Sequence, residues 1–130
     1  KNNGDGTLQP KVDYASGSGP NSIFVSDLEG DADEDIAVVN RFSNTVSIFK
    51  NNGNGTYQEK MDYATGTFPF SISVSDFDGD GDGDLVVTNH GSNTISVLKN
   101  VNALVSSISG TKFNDLNGNG IKDGSDGVLG

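Results

Sequence analysis

The sequence contains no cysteine and no tryptophan, three prolines, one histidine and one methionine in 130 residues. Without cysteine there is no disulfide framework to hold a small domain and no thiol nucleophile for catalysis. Apolar residues make up 32% of the chain, below the usual share for a self-sufficient core. No run approaches the roughly 20 apolar residues of a membrane-spanning helix. The opening Lys1, Asn2, Asn3 and Gly4 has no apolar region of the kind a signal peptide carries. Basic residues are also scarce, 8 against 18 acidic, for a formal charge of −10. Nucleic acid and anionic membranes are therefore disfavoured as partners, since both require basic patches. With disulfides excluded and apolar burial limited, a metal ion becomes the leading staple.

The acids that are present are grouped. Fourteen of the 18 fall in three short stretches, residues 27–35, 76–84 and 115–126, leaving only Asp5, Asp13, Glu59 and Asp62 elsewhere. Within the stretches they recur at every second residue, often with Gly between. A solvated acidic surface would spread its carboxylates instead. Like charges packed so closely repel unless a cation sits among them.

Sliding the chain on itself by 49 residues aligns 1–49 with 50–98 without a gap, and more than half of the positions are identical. A period of this size signals stacked supersecondary units. Alternating β-branched segments inside it predict strands over residues 22–26, 36–40, 45–50 and 56–64, and again over 71–75, 85–89 and 94–99. Asn-Gly pairs in residues 52–55, and Ser43-Asn44 and Ser92-Asn93, supply the hairpin turns. Residues 7–15 correspond to 56–64 and predict a fourth strand separated from its own unit. Four antiparallel strands per repeat of this length suit a β-propeller blade; a solenoid or a β-sandwich is the alternative. The fold class expected is all-β, with two tandem four-stranded blades, the outer strand of one displaced to the N-terminus, and a short C-terminal calcium-loop segment. Two blades cannot close a ring. Other blades, from the same parent chain or from a homo-oligomer, are the expected partners.

The strongest local signal lies in residues 76–84, with Asp76, Asp78, Asp80 and Asp84 at loop positions 1, 3, 5 and 9 and Gly81 at position 6. Calcium takes six to eight oxygens, and this spacing turns successive carboxylates towards one centre, with Asp82 offering its backbone carbonyl. Magnesium prefers fewer protein ligands. The first copy has Asp27, Glu29, Asp31 and Asp35 in the corresponding places, with Asp33 as the carbonyl donor. Glu29 is one methylene longer than Asp78, and Ala32 replaces Gly81 at a turn that favours positive φ. Weaker binding, or an empty loop, is expected there. A third loop places Asp115, Asn117, Asn119, Ile121, Asp123 and Asp126 at positions 1, 3, 5, 7, 9 and 12, with Gly120 at position 6. That is the spacing of a twelve-residue EF-hand-type loop without flanking helices, and a plain Asn/Gly turn is its alternative. Three dications would bring the formal charge from −10 to −4.

The run Asp-x-Asp-Gly-Asp-Gly-x-x-Asp-Leu, followed by Val-Val-x-Asn and Ser-Asn-Thr-x-Ser-Val, resembles the FG-GAP or VCBS repeat of integrin α-like β-propellers. The resemblance covers residues 1–99 and implies propeller blades with calcium held between the first two strands. Residues 109–130, with Thr-Lys-Phe-Asn-Asp-Leu-Asn-Gly-Asn-Gly, resemble the start of the calcium-binding B-type β-sandwich of serine-aspartate-repeat surface adhesins. Residues 100–108 are then a linker. Both families are extracellular, which implies a secreted or cell-surface setting where calcium is abundant. The expected function is a calcium-stabilised structural, adhesion or interaction module of a larger protein. No enzyme is expected: His90 sits in a predicted turn whose counterpart in the first repeat is Arg41, and Asp13 and Asp62 are repeat equivalents. A carbohydrate-binding propeller is the alternative, with Phe42, Phe68, Phe70, Arg41 and His90 at a groove between blades; the aromatics otherwise pack neighbouring blades together.

Overall fold

The computed structural model describes residues 1–101 together with the strand pair Phe113–Asn114 and Gly127–Val128. Seven strands build the repeat region: β1 (Pro20–Ser26), β2 (Asp35–Asn40), β3 (Thr45–Phe49), β4 (Met61–Ala64), β5 (Pro69–Ser75), β6 (Asp84–Asn89) and β7 (Thr94–Leu98). They form two antiparallel sheets in sequential order, β1-β2-β3-β4 and β5-β6-β7. The C-terminal pair, β8 (Phe113–Asn114) and β9 (Gly127–Val128), is a separate antiparallel ladder. The third acidic loop, Asp115 to Asp126, and residues 102–108 of the expected linker lie outside the described residues.

The strand register sorts side chains onto two faces of each sheet. In the first sheet Phe24 pairs with Ala37, Ala37 with Ile48 and Val39 with Val46, so these residues share one face. In the second, Ile72 pairs with Val87, and Val74 and Leu98 both pair with Leu85, on the opposite face. These two faces meet. Leu28, Ala37, Val39, Val46 and Ile48 form a single buried cluster with Ile72, Leu85 and Val87, flanked by Phe24, Val74 and Leu98. The repeat therefore packs one face of the first unit on the other face of the second.

Turn chemistry falls where the sequence indicates. Asn44 and Asn93 adopt φ of 57° and 55°, the left-handed conformation that asparagine tolerates in the hairpins before β3 and β7. Glycine is required at Gly17 and Gly66, where the backbone crosses the side chains of Asn40 and Asn89. A Cβ there would lie 2.7 Å from the amide carbon in each case.

Two expectations are corrected. The strand expected over residues 56–64 is confined to β4; Tyr57 makes only an isolated bridge to Asn51, closing a small hairpin with Gly53 and Gly55 at positive φ. The strand expected over residues 7–15 is not formed, and Leu8 alone bridges, to Asn2. The cause is pairing rather than propensity, because Lys11-Val12-Asp13-Tyr14-Ala15 nearly repeats Lys60-Met61-Asp62-Tyr63-Ala64. Beside β3 this sequence is a strand. Without such a neighbour among the described residues it is not.

The face-on-face arrangement predicts unequal costs at positions of similar chemistry. Ile48→Ala, at 5% exposure, should destabilise the chain by about 2–5 kcal/mol, through lost burial and a residual cavity. Ile95→Ala, at 65% exposure on the open face of β7, should change stability by less than about 0.5 kcal/mol. Denaturant titration of both variants measures the contrast.

Candidate metal centre

The loop between β5 and β6 is folded by its own carboxylates. Asp76 Oδ1 accepts the Gly79 amide at 2.6 Å and Oδ2 accepts the Gly81 amide at 3.1 Å. Gly79 and Gly81 have φ of 82° and 95°, so the turn needs glycine at both. Asp84 is fully buried at the start of β6. Its Oδ2 accepts the Phe77 amide at 2.9 Å and its Oδ1 the Asn100 amide at 2.8 Å, which fastens the loop to the chain leaving β7. Those two amides hold the Asp84 carboxyl below its ordinary range, with Lys99 adding to the effect.

Asp76, Asp78 and Asp84 converge, each offering an oxygen within 4.8 Å of the others. Among the described residues no other group of three acidic or histidine side chains does so. The donor set fits calcium. All three are hard carboxylate oxygens, and Ca–O distances of about 2.3–2.6 Å place ligands across one ion about 5 Å apart. An ion here would be held by Asp76, Asp78 and Asp84, and would supply countercharge beyond the single lysine that the cluster has. Asp78 Oδ2 meanwhile takes a salt bridge from Lys99 Nζ at 3.2 Å. Asp80 is turned to a different task, accepting the Asp82 amide at 3.0 Å, and Asp82 is half-buried.

The loop between β1 and β2 repeats the scaffold and differs at the centre. Asp35 is buried and accepts the Leu28 amide at 3.1 Å and the Asn51 amide at 2.8 Å, as Asp84 does for Phe77 and Asn100. Asp27 gathers the amides of Ala32, Gly30, Asp31 and Glu29. The Ala32 amide foremost, opposed by desolvation and aided by the other three, holds the Asp27 carboxyl below its ordinary range. Asp31 accepts the Asp33 amide at 2.9 Å, as Asp80 does for Asp82. Glu29 pairs with Lys50, whose ammonium is stabilised and whose pKa is raised by that contact. Ala32 sits at φ 70°, where a Cβ is strained.

A buried polar network lies towards the other end of β2 from the acidic loop, and sequence reasoning did not single it out. Asn40 Nδ2 donates to Ser47 Oγ at 2.8 Å, Ser47 Oγ donates to Asp62 Oδ1 at 2.5 Å, and Asn40 Oδ1 accepts the Gly17 amide at 3.0 Å. The Lys60 ammonium and then the Ser47 hydroxyl hold the Asp62 carboxyl below its ordinary range. The available signal was a repeat-invariant Asn ending β2 and β6, each with a serine seven residues on.

Residues 27–87 match the FG-GAP-like repeat, a span that includes both described acidic loops and the buried core strands between them. A search of curated proteins found no match. A search of solved structures found none either.

Two measurements test this description. Ala32→Gly should raise stability by about 0.5–1 kcal/mol, relief of the left-handed strain being offset in part by glycine's freer unfolded chain. Thermal unfolding of the variant beside the parent reads the difference. Asp27, Asp62 and Asp84 all have folded-state pKa values below the ordinary 3.8, so the native state binds fewer protons than the unfolded one. Their stabilisation is complete above that value and is lost as pH falls through the lowered ones. In chelator, the melting midpoint should therefore hold steady from neutral pH to about 5 and fall steeply below about 4.

Proposed function

We propose, from the FG-GAP-like repeat that residues 27–87 carry, that the chain is a calcium-stabilised β-propeller segment of a larger secreted or cell-surface protein. In this reading it works as a structural, adhesion or interaction module and not as an enzyme. The observation that carries the calcium assignment is the convergence of Asp76, Asp78 and Asp84 on one point at the end of an otherwise complete loop. The blade assignment is supported by sequential antiparallel sheets stacked face on face, with β5 packed against β1 and β2. FG-GAP repeats typically belong to extracellular or surface proteins, where millimolar calcium suits sites of modest affinity.

The carbohydrate reading draws less support. Arg41 stacks with its guanidinium carbon 5.8 Å from the Phe42 ring centre and 5.6 Å from that of Phe68. The two rings meet edge to face at 6.5 Å. The contacts run across the two repeats and favour a packing role, although Phe42 keeps 63% and Phe68 41% of its surface exposed.

Calcium should raise the melting midpoint and a chelator should lower it. At a free concentration one hundred times Kd, a single site would add about 2.7 kcal/mol. Asp78→Asn should remove most of this response while preserving the fold, because Asp78 bonds outward to Lys99 rather than into the core. Magnesium at equal concentration should give a smaller shift. A midpoint indifferent to calcium would sink the assignment, and saturable sugar binding would restore the lectin reading.

A further inference from the structure

The two sheet faces that meet inside the chain each have an unused twin. The contact surface of the first sheet, which carries Val46 and Ile48, recurs 49 residues later as Ile95 and Val97 on β7, exposed by 65% and 48%. The contact surface of the second sheet, which carries Ile72 and Val74, has its twin in Ile23 and Val25 on β1, exposed by 62% and 49%. An apolar hollow of about 270 Å³, lined by Ile23, Ile36, Val38, Phe49, Tyr14 and Tyr57 among others, marks that second open face. One end of the stack thus presents the complement of the other.

The edges are complementary as well. No described residue pairs with the outer edge of β7, where a cavity of about 330 Å³ opens between Val97 and Leu98 and the side chains of Met61 and Tyr63. Following the repeat, residues 109–113 would occupy the place of β4, but they read Ser-Gly-Thr-Lys-Phe and put Thr111 where Asp62 stands. The strand sequence this edge calls for occurs once more in the chain, at residues 11–15. That segment already sits as an outer strand of a preceding unit would: Tyr14 packs edge-on against Phe49 and Tyr57 at 6.2 and 5.4 Å, on the open face of the first sheet.

A buried defect at β7 shows which atom is missing. In the first unit Ser47 donates to Asp62, leaving the Gly17 amide to satisfy Asn40 Oδ1. In the second unit no carboxylate among the described residues meets Ser96, and the Gly66 amide turns to Ser96 Oγ at 3.1 Å instead. Asn89 Oδ1 is left buried without a hydrogen bond in a residue only 2% exposed. An unpaired buried acceptor is costly, and a carboxylate beside Ser96 would restore the arrangement of the first unit.

We propose that residues 12–15 of a second copy of this chain add to the outer edge of β7, with Asp13 accepting the Ser96 hydroxyl, so that copies join head to tail. The register follows from that of β3 with β4: Ala15 opposite Thr94, Tyr14 opposite Ile95, Asp13 opposite Ser96 and Val12 opposite Val97. Asn93 stands ready in the same left-handed conformation in which Asn44 receives the Thr65 and Phe68 amides. Val86, Ile95 and Val97 of the copy that offers β7 then cover Ile23, Val25, Ile36 and Val38 of the incoming copy, repeating the contact already made within the chain. The contact is heterologous and propagates into a ring or an open stack. The inference rests on the repeat packing and not on calcium.

The test uses the full chain, in calcium and in chelator, by light scattering over a range of concentrations and by oxidative cross-linking. The chain has no cysteine of its own, so Asp13→Cys and Ser96→Cys variants report only on each other. Facing residues of antiparallel strands lie about 4.5–5.5 Å apart at Cα, within disulfide reach. Mixed under oxidation, the two variants should give a covalent heterodimer that reducing agent dissolves. The parent chain should associate with rising concentration. Asp13→Ala should weaken that association about tenfold or more, the effect of losing a charge-assisted hydrogen bond, with its single-chain melting unchanged because Asp13 is exposed. A chain that stays monomeric and gives no mixed disulfide would overturn the proposal, assigning the β7 edge to a neighbouring blade of a longer polypeptide. Association that ignores Asp13→Ala and gives no mixed disulfide would overturn it equally, by placing the contact on another surface.

Discussion

A β-sheet whose strands carry apolar side chains on both faces cannot satisfy itself. Each face must meet another layer or remain in water, and the first consequence here is that the 49-residue unit does not stand alone. Val39, Val46 and Val87 reach zero exposure only because one face of the first sheet is laid on the opposite face of the second. Ile23, Val25, Ile95 and Val97 have the same chemistry and lie open, because their layers are the ends of the stack. Sequence sets the faces, and stacking decides which of them count as core.

The loops follow from that packing. For the stacked sheets to stay in register, the connection from β1 to β2 and from β5 to β6 must leave the core edge and return to it within eight residues. Asp35 and Asp84 manage the return by taking two backbone amides each, one from the loop and one from the second residue after the third strand of the unit. Both carboxylates are buried. Amide donors offset much of the desolvation cost, which is why the Asp84 carboxyl is held below its usual range and not above it. The clamp is complete in protein atoms alone, whereas the gathering of Asp76 and Asp78 beside Asp84 adds charge that it does not need. That excess is the observation on which the proposed cation site rests.

Much of this was legible from the chain. The period of 49, the strands from alternating Val, Ile and Ser, and the turns at Asn44, Asn93 and Ala32 all read directly, since each leaves a local pattern in the sequence. What could not be read depends on pairing. Residues 11–15 and 60–64 are nearly the same string, and only the presence of β3 makes one of them a strand. The division of labour among the acids was hidden for a related reason. Alternate spacing shows that Asp76 to Asp84 share a loop, but not that Asp80 caps the Asp82 amide while Asp84 clamps Asn100. The Asn40, Ser47 and Asp62 chain was hidden too, because its members come from three strands and its glycine from a fourth segment.

The two described loops are best understood as one scaffold with two ways of meeting its charge. Both place a lysine after the third strand, Lys50 or Lys99, within reach of the acid at loop position 3. In the second loop that acid is Asp78, and the lysine stays well exposed, at 58% of its side chain. In the first it is Glu29, whose extra methylene carries the carboxylate out to a lysine only 32% exposed. An enclosed ammonium beside Glu29 supplies locally part of the positive charge that an ion would bring, and the same reach draws Glu29 away from Asp27 and Asp35. That accounts for three acids converging in the second loop and not in the first, although the two have almost the same number of carboxylates. Net acidity alone therefore does not rank such sites. A lysine meets the position-3 acid in both loops, and the difference lies in whether that acid still converges with the other two.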